Sequence, residues 1–139
     1  MPSGLQRKAE RLSRLLEKLA SESAKDVLIV VEGQNDAKAL RKLAIRGKVI
    51  SAKTSGKSFL DLLAEIERRK IREVILLLDF DRRGIEWTRR LKQHLEKTRI
   101  KPNLNFWNEL HSLVGHDVKD LEGLPAYLET LKRKTSSAD

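Results

Sequence analysis

Residues 74–84 read VILLLDFDRRG, an unbroken aliphatic run that ends in two aspartates one residue apart, then two arginines and a glycine. Consecutive aliphatics without polar alternation predict a strand buried on both faces, as in a parallel sheet covered by helices. Carboxylates at the edge of such a core are costly unless something offsets their charge. Asp79 and Asp81 are two apart, so on an extended backbone they point the same way, with Phe80 turned into apolar cover. A divalent cation, Mg²⁺ or Mn²⁺, would offset both charges with the hard oxygen ligands it prefers.

Upstream, VLIVV at 27–31 predicts another fully buried strand, followed at once by Glu32 and Gly33. KVISA (48–52), EVILLLD (73–79) and NLNFW (103–107) complete a set of four strands. Helical spacing is expected at 5–20, from Asp36 to about Ile45, from Phe59 to about Lys70, from Gly84 to about Thr98, and around 125–134. Ala37, Leu40, Leu43 and Ala44 are expected inward on the second helix. Ile85, Thr88, Leu91 and Leu95 are expected inward on the fourth. Asp36 is read as a helix cap rather than a ligand.

Alternating strands and helices predict an α/β fold: an about four-stranded, mostly parallel sheet with helices on both faces, plus an N-terminal helix. Residues 1–25 read as a basic N-terminal helix and 26–139 as a single α/β domain. In an open parallel sheet, ligands bind outside the carboxyl ends of the strands. If the strands at 27–31 and 73–79 are neighbours, Glu32, Asp79 and Asp81 gather at that edge.

The chain has 139 residues, a net charge of +9 and a sequence pI of about 10.0. That balance points to a polyanion, with nucleic acid the natural partner. There is no cysteine, which excludes disulfides and thiolate zinc sites. No run reaches the roughly 18 apolar residues of a membrane span, and no signal peptide is evident, so a soluble cytoplasmic protein without membrane contact is expected. The charged content of 35% and the missing cysteine fit a heat-adapted source. Aromatics at 4% are too few for a binder driven mainly by base stacking.

VVEGQNDAKAL and LLLDFDRRG resemble the two motifs of the Toprim fold, which is shared by topoisomerases of types IA and II, bacterial-type primases, overcoming-lysogenization-defect nucleases, recombination-repair proteins and the maturase of 5S ribosomal RNA. The resemblance covers roughly residues 26–110 and suits a stand-alone small protein of archaeal type. It implies that Asp79 and Asp81 bind Mg²⁺ (or Mn²⁺). It implies that Glu32 is a general acid or base in phosphoryl transfer, or helps hold the metal. It also implies nucleic acid as partner, RNA ahead of DNA because relatives of similar architecture process ribosomal RNA, with a ribosome or RNA-processing complex as the setting. The chain departs from the larger members. Its one tyrosine, Tyr127, is expected to be a half-buried helix residue rather than a topoisomerase nucleophile, and neither a gating domain nor a primase zinc-binding domain is expected.

Around these acids, Arg82, Arg83, Arg89 and Arg90 are candidate phosphate contacts. TSGKS at 54–58 lacks the first glycine of a P-loop, because position 51 is Ser51, yet Ser55 and Lys57 could touch a substrate phosphate. Asp117 and Asp120, with Glu122, form an acidic patch that could add a ligand. His111 and His116 match no metal-binding spacing. A haloacid-dehalogenase phosphatase also uses D-x-D, but after its first strand, whereas here the motif follows the third. Two readings remain: a Mg²⁺-dependent nuclease or phosphotransferase, and a non-catalytic nucleic-acid or ribonucleoprotein factor. The chain is expected to be a monomer or a dimer.

Overall fold

The computed structural model describes residues 3–53 and 58–136; Ser55 and Lys57 lie outside them. Its elements are α1 (Gly4–Ser23), β1 (Leu28–Val31), α2 (Gln34–Lys42), β2 (Lys48–Ser51), α3 (Phe59–Arg68), β3 (Glu73–Leu77), α4 (Arg82–Lys97), β4 (Lys101–Asn103), α5 (Asn105–Val114) and α6 (Leu124–Ser136). The strands form one parallel sheet in the order β2-β1-β3-β4.

Successive side chains of a strand point to opposite faces, and the two central strands divide the core accordingly. Ile29 and Val31 of β1, with Ile75 and Leu77 of β3, pack against α1, α2, α5 and α6. Leu28 and Val30, with Val74 and Leu76, pack against α3 and α4. Both faces are therefore buried, which is why β1 and β3 carry no polar residue at alternate positions. The expected α/β architecture is the observed one.

The leucine stripe of α1 is the reason this helix folds onto the sheet. Leu12, Leu15, Leu16 and Leu19 are all buried, in the same cluster as Ile29, Val31 and Leu128. Burying each such side chain stabilises by about 1.5–3 kcal/mol. Ser3 caps the helix, accepting from the Gln6 backbone N–H at 3.0 Å.

Three local expectations change. NLNFW is not a strand: β4 ends at Asn103, and Phe106, Trp107, Leu110 and Val114 are buried on α5. The Asn103 side chain accepts from the backbone N–H of Asn105 at 2.9 Å, a local turn that stops the ladder and starts the helix. Pro102 sits within β4, tolerated because β4 is an edge strand. Ile85 is 43% exposed, because Gly84 rather than Ile85 occupies the buried position at the start of α4. Ala44 is exposed at φ 63 and reverses the chain after α2.

Candidate metal centre

β1 and β3 are neighbours in register, with Val31 beside Leu77. Both lead to the same sheet edge, where Glu32 and Asp79 follow. Glu32 is 5% exposed. Its carboxylate accepts the backbone N–H of Asp79 at 3.2 Å, so the two motifs are hydrogen-bonded directly to each other. Its carbonyl accepts the Ser51 hydroxyl at 3.1 Å and the Lys53 N–H at 2.9 Å. The Lys53 ammonium lies 3.5 Å from the other Glu32 carboxylate oxygen. Nothing in the sequence singled out Lys53: its role depends on β2 lying beside β1.

α2 starts at Gln34 with Gly33 as its N-cap, so Asp36 is not the cap but the third helical residue, whose carboxylate reaches back to the Gly33 N–H at 3.0 Å. It does more, because its second oxygen accepts the Glu122 N–H at 2.9 Å and ties α2 to the loop before α6. Burial pushes its carboxyl above the usual range, opposed by these two backbone bonds. Carboxylate oxygens of Asp36, Asp120 and Glu122 lie within 4.8 Å of one another, and among the described residues this is the group of acids that converges most directly. Asp120 and Glu122 had been legible only as an acidic patch.

Asp79 is not in that group but feels its charge. Its carboxyl is raised from an ordinary 3.8 to about 7, first by burial and then by the charges of Glu32, Asp36, Asp120 and Asp81. Among the described residues, no hydrogen bond or ion pair reaches its side chain. Hydrogen bonds hold the loop that carries it. Trp107 donates its indole N–H to the Leu78 carbonyl at 2.8 Å, and the Phe80 N–H donates to the Lys119 carbonyl at 2.8 Å. Phe80 turns into apolar cover as expected, against Trp107 and His111.

Asp81 behaves differently from Asp79. The strand has ended at Leu77, so the two do not sit on an extended ladder. Asp81 is the N-cap of α4 and accepts the Gly84 N–H at 2.7 Å through one oxygen, and the residue is exposed. Gly84 allows the approach that brings this helix start against the loop: a Cβ there would overlap the Asp79 carbonyl oxygen. Glu32, Asp79 and Asp81 thus share one edge without forming a closed triad of their own, and Asp36, Asp120 and Glu122 extend the acid surface.

This arrangement fits a divalent cation. Several carboxylates surround Asp79, with Lys53 the one basic side chain in ion-pair range of Glu32 among the described residues. A cation at Asp79 would relieve the repulsion that lifts its pKa.

The other acidic candidate lies elsewhere. Asp117 accepts from the Lys8 ammonium at 2.9 Å and from the Tyr127 hydroxyl at 2.7 Å, pinning α1 to α6. The Lys8 hydrogen bond comes first among the causes that hold its carboxyl below the usual range. Of the arginines, Arg83 lies over the Trp87 ring at 5.5 Å and Arg90 over the Phe59 ring at 4.0 Å. Arg82 and Arg89 are exposed on the same helix.

Comparison with known proteins agrees with this geometry. The Toprim domain profile matches residues 27–107. A UPF0292 protein of Methanosarcina acetivorans is 32% identical over 130 residues, covering 93% of this chain and 88% of that protein. One of Methanocaldococcus jannaschii is 34% identical over 120 residues, covering 86% and 91%. A solved protein from Aquifex aeolicus superposes with a TM-score of 0.66 at 33% identity, covering 80% of this chain and 95% of that one. Toprim domains bind divalent metals and serve nucleic-acid chemistry, and an acidic cluster, Asp36 with Asp120 and Glu122, is present here. No helix among the described residues is long and apolar enough to cross a membrane. The chain is a Toprim-domain protein of the small UPF0292 family.

Proposed function

We propose that this protein carries out Mg²⁺- or Mn²⁺-dependent phosphodiester chemistry on nucleic acid, as a nuclease, with RNA ahead of DNA as substrate. The observation that carries the reading is Asp79: a carboxyl raised to about 7 among neighbouring acids, without a hydrogen-bond partner among the described residues. Asp79 and the Asp81 oxygen that the Gly84 N–H does not take would hold the metal, with Glu32 bonded to the Asp79 backbone. When bound, the cation supplies charge stabilisation at a phosphodiester oxygen and lowers the pKa of a water.

The chain's own residues do the rest. The Asp79 N–H fixes the Glu32 carboxylate, so that the acid is oriented before substrate arrives. In this reading Glu32 would take or return a proton, with the Lys53 ammonium 3.5 Å from its carboxylate. Arg82 and Arg83 start the helix that leaves the site and would meet a phosphate there, helped by the positive end of the helix. Asp120, whose charge acts on Asp79, would add a ligand or hold a water. The preference for RNA rests on architecture alone.

A second reading has its own support. Glu32 is almost fully buried, and both its carboxylate oxygens are engaged, one by the Asp79 N–H and one by Lys53. That suits a nucleic-acid or ribonucleoprotein-binding factor in which the acids are structural. Cleavage of labelled structured RNA, single-stranded DNA and duplex DNA separates the two, run with Mg²⁺, Mn²⁺ or chelator, beside Glu32→Gln and Asp79→Asn. The enzyme reading expects metal-dependent cleavage that falls by at least about a hundredfold in both variants, the range of lost acid–base catalysis. Salt-sensitive binding without cleavage in either metal favours the binding factor.

A further inference from the structure

The helix that begins at Asp81 carries a second feature that the acids do not use. On α4, Arg83, Trp87, Arg90 and His94 fall at i, i+4, i+7 and i+11, so they share one stripe. Phe59, at the first turn of α3, meets this stripe from the side: its ring lies 5.5 Å from Trp87 and 5.5 Å from His94, both edge-on. The two exposed arginines lie over these rings, Arg83 on Trp87 and Arg90 on Phe59.

We infer that this stripe is a docking track for single-stranded nucleic acid, leading along α4 away from the metal centre. The inference rests on the nucleic-acid part of the function proposed above, and does not require cleavage.

A guanidinium laid on a ring is held in a defined plane while its N–H donors stay free at the edge. Those donors match a phosphate, and the outer face of the guanidinium is a platform on which an unpaired base stacks. A base inside a duplex cannot reach such a platform. Arg83 and Arg90 are seven residues apart, so the two platforms lie about 10 Å apart along the helix, a separation that an extended strand can bridge.

Charge agrees with the geometry. α4 holds four arginines and two lysines against two glutamates. Neither Arg83 nor Arg90 has a carboxylate within ion-pair distance among the described residues. The basic face of α1 offers no equivalent: Lys8 also lies over a ring, that of Tyr127 at 5.7 Å, but its charge is taken by Asp117.

The test is fluorescence anisotropy of the full chain with an unstructured labelled RNA, the matching DNA, and the duplex of each, in chelator and over a range of salt. Single strands should bind more tightly than duplexes. Arg83→Ala with Arg90→Ala should weaken single-strand binding roughly tenfold or more and reduce the log–log salt slope by about 1.4, two phosphate contacts at about 0.7 each. Arg83→Lys with Arg90→Lys keeps the charge but loses the stacked fork, and should also bind more weakly than wild type. Arg11→Ala with Arg14→Ala on α1 should bind as wild type.

The inference is overturned if the α4 alanine pair binds like wild type, if the lysine pair binds like wild type, if the α1 pair loses as much, or if duplex binds as tightly as single strand. Arginine-dependent binding without any cleavage supports this track and defeats the enzyme reading. Cleavage indifferent to both α4 arginines does the reverse.

Discussion

The backbone N–H of Asp79 donates to the Glu32 carboxylate at 3.2 Å, joining residues 47 apart in sequence. Neither motif is complete without the other. The bond exists because β1 and β3 run parallel and in register, so that the residue after one strand meets the end of the next. The buried acid is thus held by the very loop that carries the acid most crowded by its neighbours.

Asp79→Asn should have opposite effects with and without metal. The folded-state pKa of Asp79, about 7, lies above its ordinary 3.8. Between those values the folded chain binds a proton that the unfolded chain has released. Stability contributed by this group therefore falls as pH rises from about 4 to 7 and is level above that. Without metal, Asp79→Asn should stabilise the chain at about pH 7.5 by on the order of 1–2 kcal/mol, discounted for the partial exposure of Asp79. The gain should vanish near pH 4, where both states hold the proton. With Mn²⁺ at 100 times its Kd, wild type should gain about 2.7 kcal/mol and Asp79→Asn far less. Urea unfolding at the two pH values, with and without Mn²⁺, reads all four numbers.

Gly84→Ala should destabilise by about 2 kcal/mol or more, although alanine is the better helix former by about 1 kcal/mol. The added Cβ meets the rigid Asp79 carbonyl rather than a flexible side-chain tip. The shift it forces on the Asp79 loop should also weaken metal uptake. Urea denaturation and metal titration of this variant check both effects.

Trp107→Phe keeps most of the apolar packing but removes the indole N–H from the Leu78 carbonyl. A buried acceptor left unpaired costs about 1–3 kcal/mol. Because Leu78 directly precedes Asp79, thermal melting should show the stability loss, and Mn²⁺ affinity should fall with it.

Asp117→Asn and Asp120→Asn should part company. Asp117 serves the Lys8 and Tyr127 contacts between α1 and α6, so its variant should bind Mn²⁺ like wild type. Asp120 shares charge with Asp79 and lies with Asp36 and Glu122, so its variant should change Mn²⁺ affinity. Parallel calorimetric titrations distinguish them.

The sheet was legible in the sequence because its central strands are buried on both faces: VLIVV and VILLL admit no other placement in a small α/β chain. The edge strand was not. Within NLNFW the adjacent Phe106 and Trp107 carry no helical period, which appears only with Leu110 and Val114 beyond it, and Asn103, which turns the chain, reads equally as a strand residue. Glu32 and Asp79 stood out in the sequence because each follows directly on an apolar run, and Asp81 because it completes D-x-D with Asp79. Lys53 and the alignment of Asp36 with Asp120 and Glu122 were not, because they depend on how β2 and the loop before α6 return to the edge. The placement of Arg90 over a ring likewise required Phe59, on another helix, to lie alongside α4.

The most direct test of the metal centre is Mn²⁺ binding followed by electron paramagnetic resonance, in wild type, Asp79→Asn and Asp81→Asn. Asn is as good an N-cap as Asp, so the last substitution preserves the start of α4 while removing a charge. The account predicts saturable Mn²⁺ binding by wild type, weakening below about pH 7 as Asp79 takes up its proton, and a loss of at least about tenfold in affinity in both variants. Mn²⁺ affinity equal in all three proteins, or no saturable binding by wild type, would contradict it.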